Sequence, residues 1–424
     1  MSEEVRKGYK LTEVGVIPTD WEVKRIGDLC DYQNGTSLEH LFNSRDGFKV
    51  ISIGNYSTDG SYIHRDTYID PCHEKAVAKF ALNKNDLAMS LNDKTSTGAI
   101  LGRALLIDSD NEYVFNQRTM RLRPKSNISP SFLHHAINGD NLHGALVLLA
   151  KPGTQIYINT DDVIDLLVPV PPTAEQQAIV ATLSDIGALV SSLDQLIAKK
   201  RNIQQAAMQQ LLTGQRRLPG FSGEWCIKKL GELAFFLKGA TLSKNDLTPD
   251  GSKKCILYGE LFTTYGREIR EIYSRTNANS GTPSKLGDVL LPGSTTTSGI
   301  DLASAAAVLE DNVLLGGDIN IIRPNSKESF DPVFLSQYLT NVAANDIAER
   351  AQGITIIHLY GRDLRSLSIK LPTIHEQSAI ATTLSVIDNE LAALEARRDK
   401  AQLLKQGMMQ ELLSGRIRLT DSSL

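Results

Sequence analysis

The sequence has few cysteines and no strong excess of charge of either sign. Its 424 residues include 4 cysteines, none of them in a CxxC pair, which excludes a disulfide scaffold and gives no set with zinc-site spacing. Lys and Arg number 45 against 49 Asp and Glu, for a formal net charge of -4. Because no basic field covers the whole chain, any site for a polyanion must be local.

Long apolar runs and targeting signals are also lacking. Unbroken apolar stretches such as residues 144–150 are far shorter than the roughly 20 residues that span a bilayer. The acidic start, Met1 to Glu4, lacks the apolar segment of a signal peptide. With 41% hydrophobic and 22% charged residues, the composition is typical of a globular protein of two or three domains. We therefore expect a cytoplasmic protein without a membrane span.

Motifs that carry common enzyme chemistry are not found. The hydroxyl-rich segment 293–299 lacks the lysine and the glycine spacing of a phosphate-binding loop, and neither HExxH nor GxSxG occurs. The adjacent pair His134 and His135 does not have metal-ligand spacing. These absences favour a binding protein, and a self-sufficient hydrolase with an unfamiliar site is the less favoured alternative.

The chain contains an internal repeat. The block Trp21–Leu29 returns as Trp225–Leu233, and these blocks hold the only two tryptophans. Gly35 and Gly239 follow at the same offset, and the segments that begin at residues 175 and 376 align without a gap over more than 40 residues. Each half therefore has a divergent body and a well-matched tail.

Each tail has the heptad pattern of one long helix. Prolines stand before both segments, Thr173 and Thr373 are candidate N-caps, and Gly214 and Gly415 are candidate C-caps. A helix of about 40 residues would be near 60 Å long. An ordinary core helix is the alternative to a helix pair. The seam positions are Ile179, Leu183, Ile186, Val190, Leu193, Ile197, Lys200, Gln204, Ala207 and Leu211, then Ile380, Leu384, Ile387, Leu391, Leu394, Arg398, Ala401, Lys405, Met408 and Leu412, with Leu403 and Leu404 widening the second face.

Connectivity predicts the relative direction of the two helices. The second body begins about ten residues after the first helix ends, and it finishes just before the second helix starts. One body would therefore join the end of helix one to the start of helix two, which makes the helices antiparallel. The first body would then lie at the opposite end of the helix pair, related to the second by a pseudo-two-fold axis.

The bodies themselves have short strand-like runs separated by Gly, Asn, Asp and Ser turns. Short helices are expected after Pro130 and Pro332. We predict a mixed α/β (α+β) fold for each body. The predicted strands are 49–53, 104–107, 119–122 and 166–170 in the first body and 254–257, 305–308, 320–322 and 367–370 in the second.

Several of these segments resemble one known family. Residues 168–180 (VPVPPTAEQQAIV) and 371–380 (LPTIHEQSAI) are similar to the segment that opens the spacer helices of type I restriction-modification specificity subunits. The ends of both helices, the Trp21–Leu29 block, residues 116–118 (NQR) and residues 153–156 (GTQI) also resemble that family. The second body departs from it, with 316–318 (GGD) and 353–356 (GITI) at the matching places. The resemblance implies that the two bodies read different bases.

The resemblance also implies an organisation and a set of partners. It gives target recognition domains at 1–171 and 215–371, spacer helices at 172–214 and 372–415, and a tail at 416–424. Such a subunit reads a bipartite, asymmetric DNA target with a fixed gap. It would dock two methyltransferase subunits and two restriction (motor-nuclease) subunits, with S-adenosylmethionine, ATP and Mg bound by those partners and no cofactor or metal bound by this chain. It would be non-catalytic. The alternative is a cytoplasmic coiled-coil scaffold that joins two protein-binding domains.

Candidate contact residues follow from polar loops at matching places in the two bodies, from a basic stretch in the first body, and from the segment before each exit strand. For any one of them, a solvated surface position is the alternative. By resemblance, the residues that open the spacer helices would bind partner subunits; these are Glu175, Gln176, Glu376 and Gln377. The candidate DNA contacts are Asn92, Lys94, Thr95, Ser96, Thr97, Arg103, Arg118, Arg121, Lys151, Gln155 and Tyr157 in the first body and Lys238, Ser294, Thr295, Thr296, Thr297, Gln352, Thr355 and His358 in the second.

Overall fold

The computed structural model describes residues 6–95, 97–151 and 155–419. These residues form two compact units. The first unit contains the chain up to Ser192 together with the residues from Arg397 onward, and the second contains Leu193–Ala396. Each unit therefore combines one body with a part of both long helices.

The first unit is built from short strands and five short helices, followed by the first long helix, α6, which continues into the second unit. Its strands are β1 (Tyr9–Thr12), β2 (Gly15–Pro18), β3 (Glu22–Arg25), β4 (Cys30–Asn34), β5 (Phe42–Asn43), β6 (Phe48–Ile51), β7 (Tyr68–Ile69), β8 (Leu87–Ser90), β9 (Asn92–Asp93), β10 (Ala104–Leu106), β11 (Tyr113–Phe115), β12 (Thr119–Pro124), β13 (Ile156–Tyr157) and β14 (Leu167–Val170). The helices are α1 (Ile26–Leu29), α2 (Glu74–Val77), α3 (Pro130–Asn138), α4 (Asp140–Leu148), α5 (Thr160–Ile164) and α6 (Thr173–Leu212).

The main sheet of the first unit is antiparallel, with strand order β10-β8-β12-β4. Met120 and Leu122 of β12 are fully buried, whereas Arg121 and Arg123 between and after them are not, as the two-residue period of a strand requires. These apolar side chains share one core with Phe132 of α3. The predicted strands and the helix after Pro130 are confirmed.

The second unit repeats this plan with different side chains. Its main sheet has the order β16-β25-β21-β23-β18. The strands are β15 (Cys226–Lys229), β16 (Ala234–Lys238), β17 (Lys253–Ile256), β18 (Glu268–Ile269), β19 (Arg275–Thr276), β20 (Thr282–Pro283), β21 (Asp288–Pro292), β22 (Ser294–Thr295), β23 (Ala306–Val308), β24 (Leu314–Leu315), β25 (Ile319–Pro324), β26 (Ile357–His358) and β27 (Ser368–Leu371). The helices are α7 (Leu230–Leu233), α8 (Glu260–Thr263), α9 (Pro332–Asn341), α10 (Ala344–Arg350), α11 (Gly361–Leu364) and α12 (Ile374–Leu413).

The two long helices are antiparallel, as predicted. In the second unit, Arg201 pairs with Glu395 and Gln204 donates to Asp388, so the partner on α12 moves backward as the chain advances along α6. In the first unit, Ile179 near the start of α6 shares a core with Leu412 at the end of α12. All the predicted seam positions are buried or half-buried.

Two details of the helix prediction need correction. Leu403 and Leu404 do not widen the buried face, because they are 69% and 54% exposed. Thr173 is the first residue of α6 instead of its cap, whereas the hydroxyl of Thr373 accepts a 3.4 Å hydrogen bond from the backbone N–H of Glu376. Gly214 and Gly415 both have a φ of +72°, the left-handed conformation of a C-cap glycine.

Among the described helices, α6 is long and apolar enough to cross a membrane by length and composition alone. The expectation from unbroken apolar runs missed this, because scattered polar residues interrupt the apolar ones along α6. Two of those polar residues, Lys200 and Arg201, form ion pairs with α12.

The repeated glycines Gly35 and Gly239 have a steric explanation. A Cβ atom on Gly35 would lie 2.0 Å from the carbonyl oxygen of Asn116, and one on Gly239 would lie 1.7 Å from that of Gly316. No side chain fits at either place. Both halves therefore need glycine directly after β4 or β16, where the chain meets the loop before β12 or β25.

Candidate nucleic-acid interface

Strand pairing in the first unit joins candidate residues that are distant in sequence. Asn92 of β9 lies opposite Tyr157 of β13 in an antiparallel ladder. Lys151 extends this ladder, since its N–H donates to the carbonyl of Tyr157 at 2.8 Å and its carbonyl accepts from the N–H of Tyr157 at 3.2 Å. Asn92, Lys151 and Tyr157 therefore belong to one small sheet.

The second unit has the same ladder with other side chains. Ser294 of β22 lies opposite His358 of β26, and Gln352 exchanges two backbone hydrogen bonds with His358, at 2.9 and 2.8 Å. The triplet Ser294, Gln352 and His358 thus occupies the places of Asn92, Lys151 and Tyr157. The same framework presents different hydrogen-bonding groups in the two units.

Hydroxyl-rich loops follow β9 and β22, and internal carboxylates order them. Asp93 accepts hydrogen bonds from the N–H and hydroxyl of Thr95, at 2.7 and 2.9 Å, and from the N–H of Ile100 at 2.9 Å. The hydroxyls of Thr95 and Thr97 lie 2.8 Å apart, while both side chains stay exposed, as does Lys94. Ser96 lies outside the described residues.

In the second loop, the candidate residues separate by burial. Ser294 and Thr295 are only 6% and 8% exposed, and the hydroxyl of Ser294 donates to Asp318 at 3.1 Å. Thr296 and Thr297 are exposed. A ligand can therefore reach the side chains of Thr296 and Thr297, whereas Ser294 and Thr295 have a structural role that the sequence pattern did not distinguish.

The basic stretch of the first body is also divided. Arg118 is exposed, has a positive φ of 67°, and donates a hydrogen bond to the Gln155 side chain at 2.9 Å, so two candidates meet. Arg103 is half-buried and donates to the backbone carbonyls of Asn138 and Ala99, and its burial lowers the pKa of its guanidinium. The structure thus uses Arg103 to link parts of the body.

Arg121 is held within the sheet rather than extended toward solvent. It pairs in register with Gln33 and Ala88, its guanidinium lies 5.9 Å from the ring centre of Phe115, and its buried Nε has no hydrogen-bond partner among the described residues. Desolvation by burial lowers its pKa. Arg121 is therefore a poorer candidate for direct DNA contact than the exposed Arg118.

Two candidate lysines already have acidic neighbours. Lys151 lies 3.2 Å from Asp162, and Lys238 lies 3.3 Å from Asp318. Since these are partly exposed pairs, the interaction is weak and a phosphate could compete for either ammonium group. Thr355 is exposed in the turn that leads into β26.

The second unit has a stack of two rings and a guanidinium, of which the sequence predicted only His358. The His358 and Tyr360 rings are nearly parallel, at 17° and 6.1 Å between centres, and the Arg362 guanidinium lies 4.9 Å from the centre of the Tyr360 ring. In the first unit, the corresponding positions carry Tyr157, Asn159 and Asp161. His358 and Tyr360 are two residues apart on extended backbone, which was the available signal for the two rings, whereas Arg362 lies in α11.

Exposed apolar side chains accompany this stack. Ile354, at the turn before β26, is 98% exposed. Gly353 has a φ of +129°, and a Cβ atom there would lie 2.0 Å from the carbonyl of Ile356. The turn is thus tightly built and presents an isoleucine to solvent.

Glu175 and Gln176 were predicted to contact partner subunits, but the structure gives them internal roles. Glu175 is 3% exposed and accepts hydrogen bonds from the Trp21 indole at 2.9 Å and from Arg418 at 2.7 and 2.8 Å. Gln176, 1% exposed, accepts from the N–H of Ser129 and donates to the carbonyl of Pro171. A buried side chain with internal partners has no free atom to offer to another protein.

The same correction applies to Glu376 and Gln377. Glu376 is 1% exposed in its ion pair with Arg217, whose guanidinium lies 5.9 Å from the Trp225 ring centre. Gln377 accepts from the N–H of Asp331 and donates to the carbonyl of Pro372. The repeated Glu-Gln pair therefore fixes the start of each long helix to its own unit. We call the residues Trp21, Glu175 and Arg418 the first clasp and Trp225, Glu376 and Arg217 the second clasp.

Within the part of the chain that the structure describes, no cluster of three or more His, Cys, Asp or Glu side chains is arranged to hold a metal ion. His134 and His135 lie side by side on α3, and burial lowers the pKa of both, that of His135 to about 4. All four cysteines are free. The candidate residues described above offer hydrogen-bonding, aromatic and cationic groups.

Both halves of the chain match one known protein family. The family model of the type I restriction modification DNA specificity domain matches the chain twice, at residues 18–200 and 222–405. The chain is 23% identical over 432 aligned residues to a putative type I restriction enzyme specificity subunit, MjaX, of Methanocaldococcus jannaschii, with 97% of each chain covered.

Solved structures show the same fold. The S subunit of the type I restriction-modification system from M. genitalium superposes with a TM-score of 0.60 at 16% identity, covering 92% of this chain and 96% of that one. A chain from a structure on complex assembly and conformational transition of the type I R-M system gives a TM-score of 0.57 at 18% identity, covering 95% and 99%. Since the family model matches most of the sequence, in both halves, this chain belongs to the family of type I restriction-modification DNA specificity subunits.

Proposed function

We propose that this specificity subunit recognises double-stranded DNA through two surfaces, one in each unit, that share a strand framework and differ in side chains. The observation that carries the proposal is the repeated ladder, in which the accessible Lys151 and Tyr157 of one unit correspond to Gln352 and His358 of the other. Different donors and acceptors on equivalent frames select different base edges. The expected target is therefore bipartite and asymmetric, with a gap of fixed length.

Side chains that remain accessible are the proposed contacts. In both units they lie on the ladder, on the hydroxyl-rich loop and beside the turn before the exit strand. Short hydroxyl and amide groups suit phosphate and base-edge contacts, and exposed rings suit stacking or van der Waals contact. The set is Asn92, Lys94, Thr95, Thr97, Arg118, Lys151, Gln155 and Tyr157 in the first unit and Lys238, Thr296, Thr297, Gln352, Ile354, Thr355, His358, Tyr360 and Arg362 in the second.

The electrostatics favour weak DNA binding by this chain alone. Its net charge is -4, and Lys151 and Lys238 are partly neutralised by Asp162 and Asp318. Counterion release from phosphate contacts supplies much of the affinity of DNA-binding proteins. We infer that the partner subunits add the missing cationic contacts, so that tight binding requires the assembled complex.

We further propose that the long helices dock the partners. In the second unit, the long helices carry Leu196, Ile203 and Val386, which are 46%, 46% and 50% exposed. In the first unit they carry Leu403 and Leu404, which are 69% and 54% exposed. Exposed aliphatic groups on a helix are typical of a surface that another helix covers. Two methyltransferase and two restriction (motor-nuclease) subunits would assemble in the cytoplasm, with S-adenosylmethionine, ATP and Mg on those partners. This chain would supply recognition and no catalytic group.

The test combines the purified chain with the methyltransferase subunits of its own system and duplex DNA that contains the target found by methylome sequencing. We expect salt-sensitive, sequence-specific binding by the complex, and adenine methylation by the complex but not by this chain alone. Lys94→Ala should weaken binding and lower the salt dependence, whereas Lys84→Ala, an exposed lysine outside the proposed surface, should not.

Two outcomes would contradict this proposal. Absence of salt-dependent DNA affinity in the complex would favour the scaffold alternative. Turnover of a substrate by the isolated chain would favour the hydrolase alternative.

A further inference from the structure

A groove in the first unit differs in character from the proposed DNA surface. It has a volume of about 740 Å³ and is lined by residues of the β1–β2 hairpin, α3, α4, the segment around α5 and β14, and the end of α12. Its floor is apolar, with Ile17, Ala136, Leu142, Met409 and Leu413 among the lining residues. The start and the end of the described chain thus build one concave surface.

The charged groups of this groove are all acidic. Five carboxylates line it, and no Lys, Arg or His does among the described residues; the five are Glu13, Asp140, Asp161, Asp162 and Asp165. Asp162 pairs with Lys151 and Asp165 with Arg25, whereas the other three form no ion pair with a described residue. Such a rim repels DNA phosphates and attracts a cationic ligand.

Exposed apolar side chains extend the groove on two sides. Val16, which lines it, is 42% exposed, and Leu11, its cross-strand partner in the hairpin, is 72% exposed. Across the groove, Leu149 is 41% exposed and the adjacent Leu148 is 88% exposed. Exposed apolar side chains on two sides of a pocket indicate a protein partner in preference to an enclosed small molecule.

The equivalent place in the second unit is filled. Helices α3 and α9 align through Phe132 and Phe334, which puts Tyr338 at the position of Ala136. Tyr338 is 7% exposed, and its hydroxyl accepts a 3.2 Å hydrogen bond from the backbone N–H of Lys370. The first unit has Pro169, which has no N–H, at the position of Lys370. Tyr338, held by the N–H of Lys370, therefore fills the second unit at this place. In the first unit, Ala136 and Pro169 leave the groove open.

We propose that this groove binds a lysine- or arginine-bearing amphipathic helix of the methyltransferase subunit, and that it does so in the first unit only. The apolar face of the helix would cover the floor around Ala136, and its cations would face Glu13, Asp140 and Asp161. The inference rests on the proposed function, and it adds an asymmetry: the methyltransferase subunit beside the first unit has a contact that the other lacks.

The experiment fills the groove with the residue that the second unit already has there. Ala136→Tyr and, in a separate variant, Glu13→Lys with Asp161→Lys are compared with the wild-type chain. The matched controls are Ala76→Tyr and Glu74→Lys with Asp46→Lys, all at exposed positions that do not line the groove. Methyltransferase binding is measured by calorimetry and by mass determination of the complex, and tryptophan fluorescence, from Trp21 and Trp225 together, verifies that the chain is folded.

The expected result is loss of one of two methyltransferase subunits, or at least a tenfold weaker affinity at one site, in both groove variants and in neither control. The charge variant keeps the test valid if Ala136→Tyr fails to fold. Wild-type affinity at both sites in a folded variant would overturn the proposal. Dimerisation of the wild-type chain through the groove would also overturn it. The same holds if a small molecule fills the groove while both methyltransferase sites keep their affinity. Failure of the wild-type complex to bind DNA would instead overturn the proposed function.

Discussion

The first clasp provides the sharpest test of the internal role assigned to Glu175. Replacing Glu175 by Ala removes the acceptor for the Trp21 indole and for two nitrogens of Arg418. Glu175 is 3% exposed and the Arg418 side chain is 23% exposed, so the substitution leaves a largely buried cation without one of its two carboxylates. Asp20 remains as the second partner of Arg418, at 2.7 Å.

The magnitude follows from these contacts. Breaking a buried ion pair by removing one partner costs roughly 3–5 kcal/mol. Because Arg418 keeps Asp20, the free energy of unfolding of the first unit should fall by about 3 kcal/mol, near the lower end of that range. Glu175→Gln retains one acceptor oxygen and should lose less. Glu74→Ala, at an exposed carboxylate, should change stability by no more than about 0.5 kcal/mol.

Urea unfolding followed by tryptophan fluorescence measures this effect directly. The chain has two tryptophans, one in each clasp, so a Trp225→Phe background leaves Trp21 as the only indole reporter of the first unit. If Glu175→Ala unfolds at the same urea concentration as Glu74→Ala and instead weakens methyltransferase binding, the burial argument is refuted. Glu175 would then act at the partner interface, as the sequence resemblance predicted.

Three further predictions test other parts of the molecule. Burial, and then repulsion by neighbouring cations, lowers the pKa of His135 from 6.5 to about 4, so between these pH values the unfolded chain takes up a proton that the folded chain does not. The free energy of unfolding should therefore fall by up to about 3 kcal/mol as the pH drops through that window, and urea titrations across pH should show a smaller fall for His135→Gln. Tyr360→Ala and Arg362→Ala should each weaken DNA binding by the complex, and Arg362→Ala should also reduce the salt dependence of binding. The control Asn159→Ala, at the place in the first unit that corresponds to Tyr360, should do neither, and equal effects of all three substitutions would contradict a role specific to the second unit. Insertion of one helical turn of four residues into both long helices should lengthen the gap in the DNA target by about 6 Å, or roughly two base pairs. Methylome sequencing that finds an unchanged gap would count against the spacer role of these helices.

Local patterns in the sequence were sufficient for the helices and most strands. Seam residues such as Ile179 and Leu183 recur at steps of four and three, and both are buried as predicted. Gly214 and Gly415 adopt the left-handed conformation expected after a helix end. These features depend on backbone geometry and on nearest neighbours along one helix, so the order of residues contains the information.

Individual site residues were less predictable, because burial depends on what packs from elsewhere in the chain. Ser294 and Thr296 look alike in sequence, yet one is bonded to Asp318 and the other is exposed. Glu175 looks like a surface carboxylate on a helix start, and only the approach of Trp21 and Arg418, from opposite ends of the sequence, makes it a buried acceptor.

The sequence by itself determined the repeat, the two long helices, their antiparallel direction and the family, since periodicity, connectivity and motif order are properties of the chain as written. Tertiary structure alone decided which candidate polar groups remain exposed, that the Glu-Gln pairs serve the chain's own packing, and that a groove over Ala136 is open where Tyr338 closes its counterpart. The physical reason is that a side chain's role depends on its neighbours in space, and those neighbours come from segments that no local pattern links.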